Sequence, residues 1–117
     1  MRTLFAIVVL LLSLNIRAQQ KGIKTETFIV NGNCGECKER IENAGDIKGV
    51  KLLKWNTESK VASVTFDTAK TDLLKIQQAI AAHGHDAGEV KASEKSYKKL
   101  PSCCRYHDQK CEEPVKK

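Results

Sequence analysis

The sequence predicts a ferredoxin-like α+β domain with the order β-α-β-β-α-β, in which two helices cover one face of a four-stranded antiparallel sheet. Three observations lead to this prediction. Runs rich in β-branched residues alternate with segments of helical periodicity, turn residues separate them, and the pattern fills residues 24–92. Because this fold hosts many activities, the fold alone decides little about function.

The first half of the pattern consists of a strand, a loop and a helix. Residues 24–30 are rich in Thr, Ile, Val and Phe, which favour a strand. Residues 32–35 form a loop, and residues 36–43 have helical character with Ile41 facing the core. Gly45 then ends the helix.

The second half of the pattern consists of a hairpin, a helix and a last strand. The predicted hairpin pairs residues 50–55 with residues 60–66 around a polar turn. Residues 71–72 are Thr and Asp, either of which can cap a helix that runs to about Ala82. A short strand over residues 87–92 completes the predicted sheet.

Residues 1–18 have the pattern of an export signal, with Arg2, a short apolar core and a small residue, Ala18, at the end. The apolar core has about eleven residues, whereas a membrane-spanning helix needs about twenty. We therefore expect a signal peptide and a periplasmic or secreted protein, which is not integral to the membrane after signal cleavage. An uncleaved membrane anchor is the alternative.

Charge and composition argue against nucleic acid as a partner. The net charge is +6, and it falls to +4 once Arg2 and Arg17 are removed with the signal. The basic residues are scattered and aromatic residues are few, so neither a basic stripe nor a stacking surface is evident. We expect a monomer that does not bind nucleic acid.

Cys34 and Cys37 form a Cys-x-x-Cys pair between the first strand and the first helix. The positive end of a helix lowers the pKa of a nearby thiol and so favours the thiolate. Two thiolates select soft ions, and they suit two-coordinate Cu(I) or Hg(II). Zn(II) would need further ligands. We therefore predict a metal site at this pair, with Cu(I) as the first expectation.

Two other interpretations of the pair remain open, a structural disulfide and a catalytic thiol–disulfide oxidoreductase. A thioredoxin-like oxidoreductase needs a cis-proline beside the cysteines. The chain has two prolines, Pro101 and Pro114, and both lie in the tail. Glu36 and Glu39 have no second acid, base or nucleophile placed beside them. Because passing on an ion by thiolate exchange implies no other bond-making chemistry, we predict that the protein is not an enzyme.

The polar tail, residues 93–117, contains a second cluster of possible ligands. If a helix begins at Pro101, a favoured first-turn residue, these ligands fall on one face and can form a closed metal site. One alternative is a disulfide from Cys111 to Cys103 or Cys104. The others are a disordered tail, or a tail that folds back and donates ligands to Cys34 and Cys37. Tyr97 and Tyr106 are expected to pack the tail against the domain. The cluster consists of Cys103, Cys104, His107 and Cys111.

Residues 24–92 resemble the heavy-metal-associated domain family, the small copper-chaperone and metal-ATPase modules. The resemblance is carried by the Gly-x-Cys-x-x-Cys loop that contains Cys34 and Cys37, by the order of elements, and by the run Gly-His-Asp-Ala before the last strand. Family members usually have Met and then Thr or Ser before the first cysteine, whereas here Asn33 alone follows Gly32.

The resemblance implies a function and a set of ligands. In this family the two cysteines bind Cu(I), or in some members zinc, cadmium or mercury, and a residue of the last loop lies close to the metal. That residue is His85 here. The expected protein is a metallochaperone or scavenger that passes its ion by thiolate exchange to a metal-transporting ATPase or another metalloprotein. Mercury or zinc transport is the first competitor, and periplasmic mercury- and copper-handling members are the nearest analogy.

Overall fold

The computed structural model describes residues 22–107 of the 117-residue chain. The predicted signal peptide, residues 1–18, and Cys111 lie outside this range, so what was expected of them stays a prediction. Within residues 22–107, no helix combines the length and apolar character that crossing a membrane requires.

The sheet has three antiparallel strands in the described part of the chain. They are β1 (Ile23–Ile29), β2 (Val50–Trp55) and β3 (Val61–Asp67), and β3 lies between the other two. Alternate residues of β3 are buried, because successive side chains of a strand point to opposite faces. This register places Val64 opposite Leu53 of β2 and confirms the predicted hairpin.

Both main helices, α1 (Gly35–Ala44) and α2 (Leu73–Ala81), pack on the same face of the sheet. Their buried residues, including Ile41 and Ile76, belong to one hydrophobic core with the inward residues of all three strands. The predicted cap of α2 is confirmed, because the Asp72 carboxylate accepts a hydrogen bond of 2.8 Å from the Lys75 N–H.

The predicted fourth strand over residues 87–92 does not form. Ala87 makes a single antiparallel bridge to Val30 beside the end of β1, and the chain then reverses so that Ala87 pairs with Val90. Gly88 permits this reversal, because its φ of +57° lies in the left-handed region that most side chains avoid. The pairing beside β1 is therefore limited to the single bridge between Val30 and Ala87.

The tail returns to the domain instead of forming the helix that was predicted from Pro101. A short helix, α3 (Glu94–Lys98), is followed by a 3-10 helix (Ser102–Cys104), which ends at Arg105. Leu100 is 1% exposed and packs against Gly84, where an added Cβ would lie 2.8 Å from the leucine side chain. The described part of the tail therefore belongs to the same core as residues 24–92.

Candidate metal site

The Cys-x-x-Cys pair lies at the beginning of α1. Cys34 is the N-cap residue with an extended backbone, and Cys37 follows in the first turn. The sulfur atoms of the pair are 3.7 Å apart. Cys37 is completely buried and also accepts a hydrogen bond of 3.3 Å from the Asn33 N–H, whereas Cys34 is half-buried and remains accessible.

A third sulfur joins this pair from the tail. The Cys104 Sγ lies 2.7 Å from the Cys37 Sγ, which is longer than a disulfide bond of about 2.05 Å, and no disulfide joins Cys34, Cys37 or Cys104 to another described residue. All three sulfurs lie within 4.8 Å of one another. Of the alternatives that the sequence leaves open for the tail, the structure shows the one in which it folds back onto Cys34 and Cys37.

The 3-10 helix and the loop before α1 place Cys104 in this position. The Cys104 N–H donates to the Pro101 carbonyl at 2.8 Å, which closes the turn that carries the thiol. The Asn33 side-chain amide donates to the Cys103 carbonyl at 3.2 Å and so joins the loop to the tail. The sequence held no signal for this contact, because the two residues are separated by 70 positions.

The three sulfurs differ in their electrostatic surroundings. Burial raises the pKa of the Cys34 thiol, but the backbone N–H groups of Cys37 and Glu36 favour the thiolate more strongly, and the net pKa is lowered. Burial, reinforced by the contact with Cys37, raises the pKa of Cys104 well above its ordinary value. Without a metal ion, Cys34 is thus the readier thiolate and Cys104 a protonated thiol.

Of the remaining ligands predicted in the tail, Cys103 lies beside the three-sulfur group, where its side chain interacts with Cys34 and Cys104, whereas His107 faces Asp86. The Cys103 Sγ contacts a Glu36 carboxylate oxygen at 3.4 Å, and its pKa is raised to about 11 by burial and by this acidic neighbour. The His107 Nε2 lies 3.4 Å from an Asp86 carboxylate oxygen. Among the described residues, the expected cluster on a single helix face is therefore not assembled. A disulfide from Cys111 stays a prediction.

His85 is buried in the loop after α2, but it is not part of the three-sulfur group. Its Nδ1–H donates to the Asn31 carbonyl at 2.8 Å, so Nε2 is the unprotonated nitrogen. Nε2 is buried and has no hydrogen-bond partner among the described residues, and burial lowers the pKa of the ring and keeps it neutral. The predicted role of His85 as a ligand stays a prediction.

Tyr106 attaches the end of the described tail to this loop. Its hydroxyl donates to the Gly84 carbonyl at 2.7 Å and accepts from the Asp86 N–H at 2.9 Å. Burial raises the pKa of Tyr106, which keeps the donating proton in place. The ring also contacts Tyr97 edge-on and stacks on His85. The expected packing of the two tyrosines between tail and domain is confirmed.

Comparison with known proteins gives several relatives, although no protein-family model matches the chain. Copper chaperone CopZ of Enterococcus hirae is 38% identical over 66 residues, which are 56% of this chain and 96% of that protein. Oxidized MerP from Ralstonia metallidurans CH34 is 32% identical with a TM-score of 0.54, over 57% of this chain and 96% of its own. The N-terminal domain of the zinc(II) ATPase ZiaA in its apo form is 32% identical with a TM-score of 0.50, over 62% of this chain and 70% of its own.

Proposed function

Because this chain belongs to the heavy-metal-associated domain family, we propose that it is a carrier that binds Cu(I) through Cys34 and Cys37 and passes it on. The chain is not an enzyme. The ion moves by thiolate exchange, in which cysteines of the acceptor replace cysteines of the carrier as ligands of the ion. No other bond is made or broken.

The observation that carries this proposal is the position of the two sulfurs at the start of α1. They lie 3.7 Å apart, and the pKa of Cys34 is lowered by the backbone N–H groups of Cys37 and Glu36, which outweigh its burial. Thiolates prefer soft ions. Because Cys34 is only half-buried, an acceptor thiol can approach the ion from its side.

Cu(I) is proposed over Hg(II) on the name of a relative, and over Zn(II) on the number of ligands as well. The Enterococcus hirae relative is named a copper chaperone, and Cu(I) accepts a low number of sulfur ligands. Zn(II) in structural sites takes four ligands, and the described residues bring together three sulfurs. A zinc function is the second candidate because the similar ZiaA domain belongs to a zinc(II) ATPase.

We propose further that the protein is exported and acts as a monomer in the periplasm or outside the cell. The charged start, short apolar core and small residue at position 18 support this. The proposed acceptor is a metal-transporting ATPase or another metalloprotein, since one similar structure is an ATPase domain. N-terminal sequencing of the protein recovered from the periplasmic fraction should begin at Gln19. Recovery of uncleaved chain in the membrane fraction would contradict signal cleavage and favour the membrane anchor.

The test of metal binding is a Cu(I) titration of the reduced protein against a competing chelator. We expect about one tightly bound equivalent, and we expect tight binding to be lost when both Cys34 and Cys37 are replaced by serine. The matched control is Cys103→Ser, which removes a neighbouring thiol outside the three-sulfur group. Equally tight binding by the double variant would disprove the proposed site. Metal-free catalysis of disulfide reduction would instead favour an oxidoreductase.

A further inference from the structure

We infer that Cys104 is a third ligand of the same site, so that the ion is held by the sulfurs of Cys34, Cys37 and Cys104. This inference rests on the proposed function and extends it. It assigns the cysteine-containing tail a direct part in binding the ion. The expected complex is a three-coordinate Cu(I) site rather than an open two-coordinate one.

The distances between the sulfurs fit such a site after a small adjustment. Three sulfurs that surround one ion in a plane, each at about 2.3 Å from it, lie about 4 Å from one another. The distance between Cys34 and Cys37, 3.7 Å, is already close to this value. The 2.7 Å contact between Cys37 and Cys104 has to widen by about 1 Å, which side-chain rotation of Cys104 can supply.

Contacts on both sides of Cys104 hold its sulfur at the pair. Before it in the chain, Leu100 is buried against Gly84. After it, the Tyr106 hydroxyl joins the Gly84 carbonyl to the Asp86 N–H. With its own side chain completely buried, Cys104 has little freedom to face anything other than Cys37. The tail is therefore preorganised to deliver this thiol.

A third sulfur changes what the site can do. Two sulfurs leave the ion open, whereas three fill the coordination that Cu(I) accepts and keep water away from the ion. Thiols must lose their protons to bind, so the Cys104 proton passes to solvent as the ion enters. Because the side chain is buried, the ion would be drawn from the surface beside Cys34 into the interior.

X-ray absorption at the copper edge, with less than one equivalent of Cu(I) on the full chain, tests this inference. We expect three sulfurs per copper in the unmodified protein and two in Cys104→Ser. Chelator competition should show Cu(I) binding weakened by at least about tenfold in that variant. Cys103→Ser is the matched control, because it removes the adjacent thiol, and both results should remain as in the unmodified protein.

Several outcomes would overturn the inference. Two sulfurs per copper in the unmodified protein would do so whether or not any variant folds. Three sulfurs that persist in Cys104→Ser would place the third ligand elsewhere, for example in a second copy of the chain. Loss of the third sulfur in Cys103→Ser would show that Cys103, and not Cys104, is the third ligand. The variant in which both Cys34 and Cys37 are replaced by serine tests the proposed function independently of Cys104. Loss of Cu(I) binding in that variant supports the proposed function, and normal binding contradicts it.

Discussion

Two thiols of the three-sulfur group, Cys34 and Cys104, differ in acidity because each meets a different neighbour. Cys34 caps a helix, so backbone N–H groups offset its burial and its pKa is lowered. Cys104 is buried against another sulfur, and its pKa is raised. Because the thiolate is the reactive form, the same alkylating reagent should distinguish the two side chains.

We predict that iodoacetamide modifies Cys34 of the reduced, metal-free protein at least about tenfold faster than Cys104. Lowering the pH should slow the reaction of Cys34 less than that of an ordinary cysteine, because its lowered pKa preserves the thiolate to lower pH. Peptide mass spectrometry over a series of times and pH values measures both rates. The unfolded protein in denaturant is the control, in which the difference should disappear. Equal rates in the folded protein would show that the tail does not bury Cys104.

Glu42 joins α1 to the end of β2. Its carboxylate accepts a hydrogen bond of 2.9 Å from the Trp55 N–H and one from the Lys38 ammonium, which also donates to the Trp55 carbonyl at 2.9 Å. Burial raises the pKa of Glu42, but the interactions with Lys38 and Trp55 outweigh it and hold the pKa below the ordinary value of 4.5. The helix that carries both cysteines is thus fixed to the sheet by a charged group.

We predict that Glu42→Gln lowers the free energy of unfolding at pH 7 by about 1 kcal/mol. Since the pKa of Glu42 is lower in the folded than in the unfolded state, its contribution is present above pH 4.5 and is lost as the pH falls through the folded pKa. Urea denaturation at pH 7 and at stepwise lower pH should therefore show the two proteins converging in acid. Glu39→Gln, at an exposed position of the same helix, is the control and should behave like the unmodified protein. A difference that stays constant with pH would rule out the charge as its cause.

The elements that the sequence predicts correctly are those whose signals are local. The hairpin follows from alternating burial along β3, and the start of α2 follows from a capping residue, Asp72, three positions before its hydrogen-bond partner. The prediction of a fourth strand was wrong because the residue that ends the pairing is not marked by the local pattern. A run of suitable residues does not reveal that Gly88 will adopt a positive φ and turn the chain away from β1.

The candidate site was predictable only in part, because it is assembled from both ends of the domain. The spacing of Cys34 and Cys37 is a local pattern and predicts their convergence. The third sulfur is 67 positions from Cys37, and the segment between them is placed by packing that no short window contains. The sequence leaves a returning tail as one option among several, and the burial of Leu100 and Cys104 shows that the described part of the tail folds back onto the domain.

At the scale of the whole molecule, residues 93–107 cover the three-sulfur group that is proposed to carry the ion. In ligand exchange, the acceptor sulfur has to find a free position on the ion. A third sulfur from the tail occupies that position, so release requires Cys104 to leave first. Cys104 cannot leave freely, because Leu100 and Tyr106 hold the segments on either side of it. The tail should therefore slow release of the ion as well as strengthen binding.

We predict that Cu(I) passes to an excess of competing chelator about tenfold faster from Cys104→Ser than from the unmodified protein, because affinity changes appear mainly in release rates. Tyr106→Phe keeps all three sulfurs but loses the hydroxyl that bonds to Gly84 and Asp86, so its rate should lie between the two. Stopped-flow absorbance of the chelator complex measures each rate, with Cys103→Ser as the control expected to match the unmodified protein. If Cys104→Ser and the unmodified protein release copper at the same rate, the tail does not restrain the ion. If Tyr106→Phe alone is unchanged, the third sulfur restrains the ion without help from this anchor.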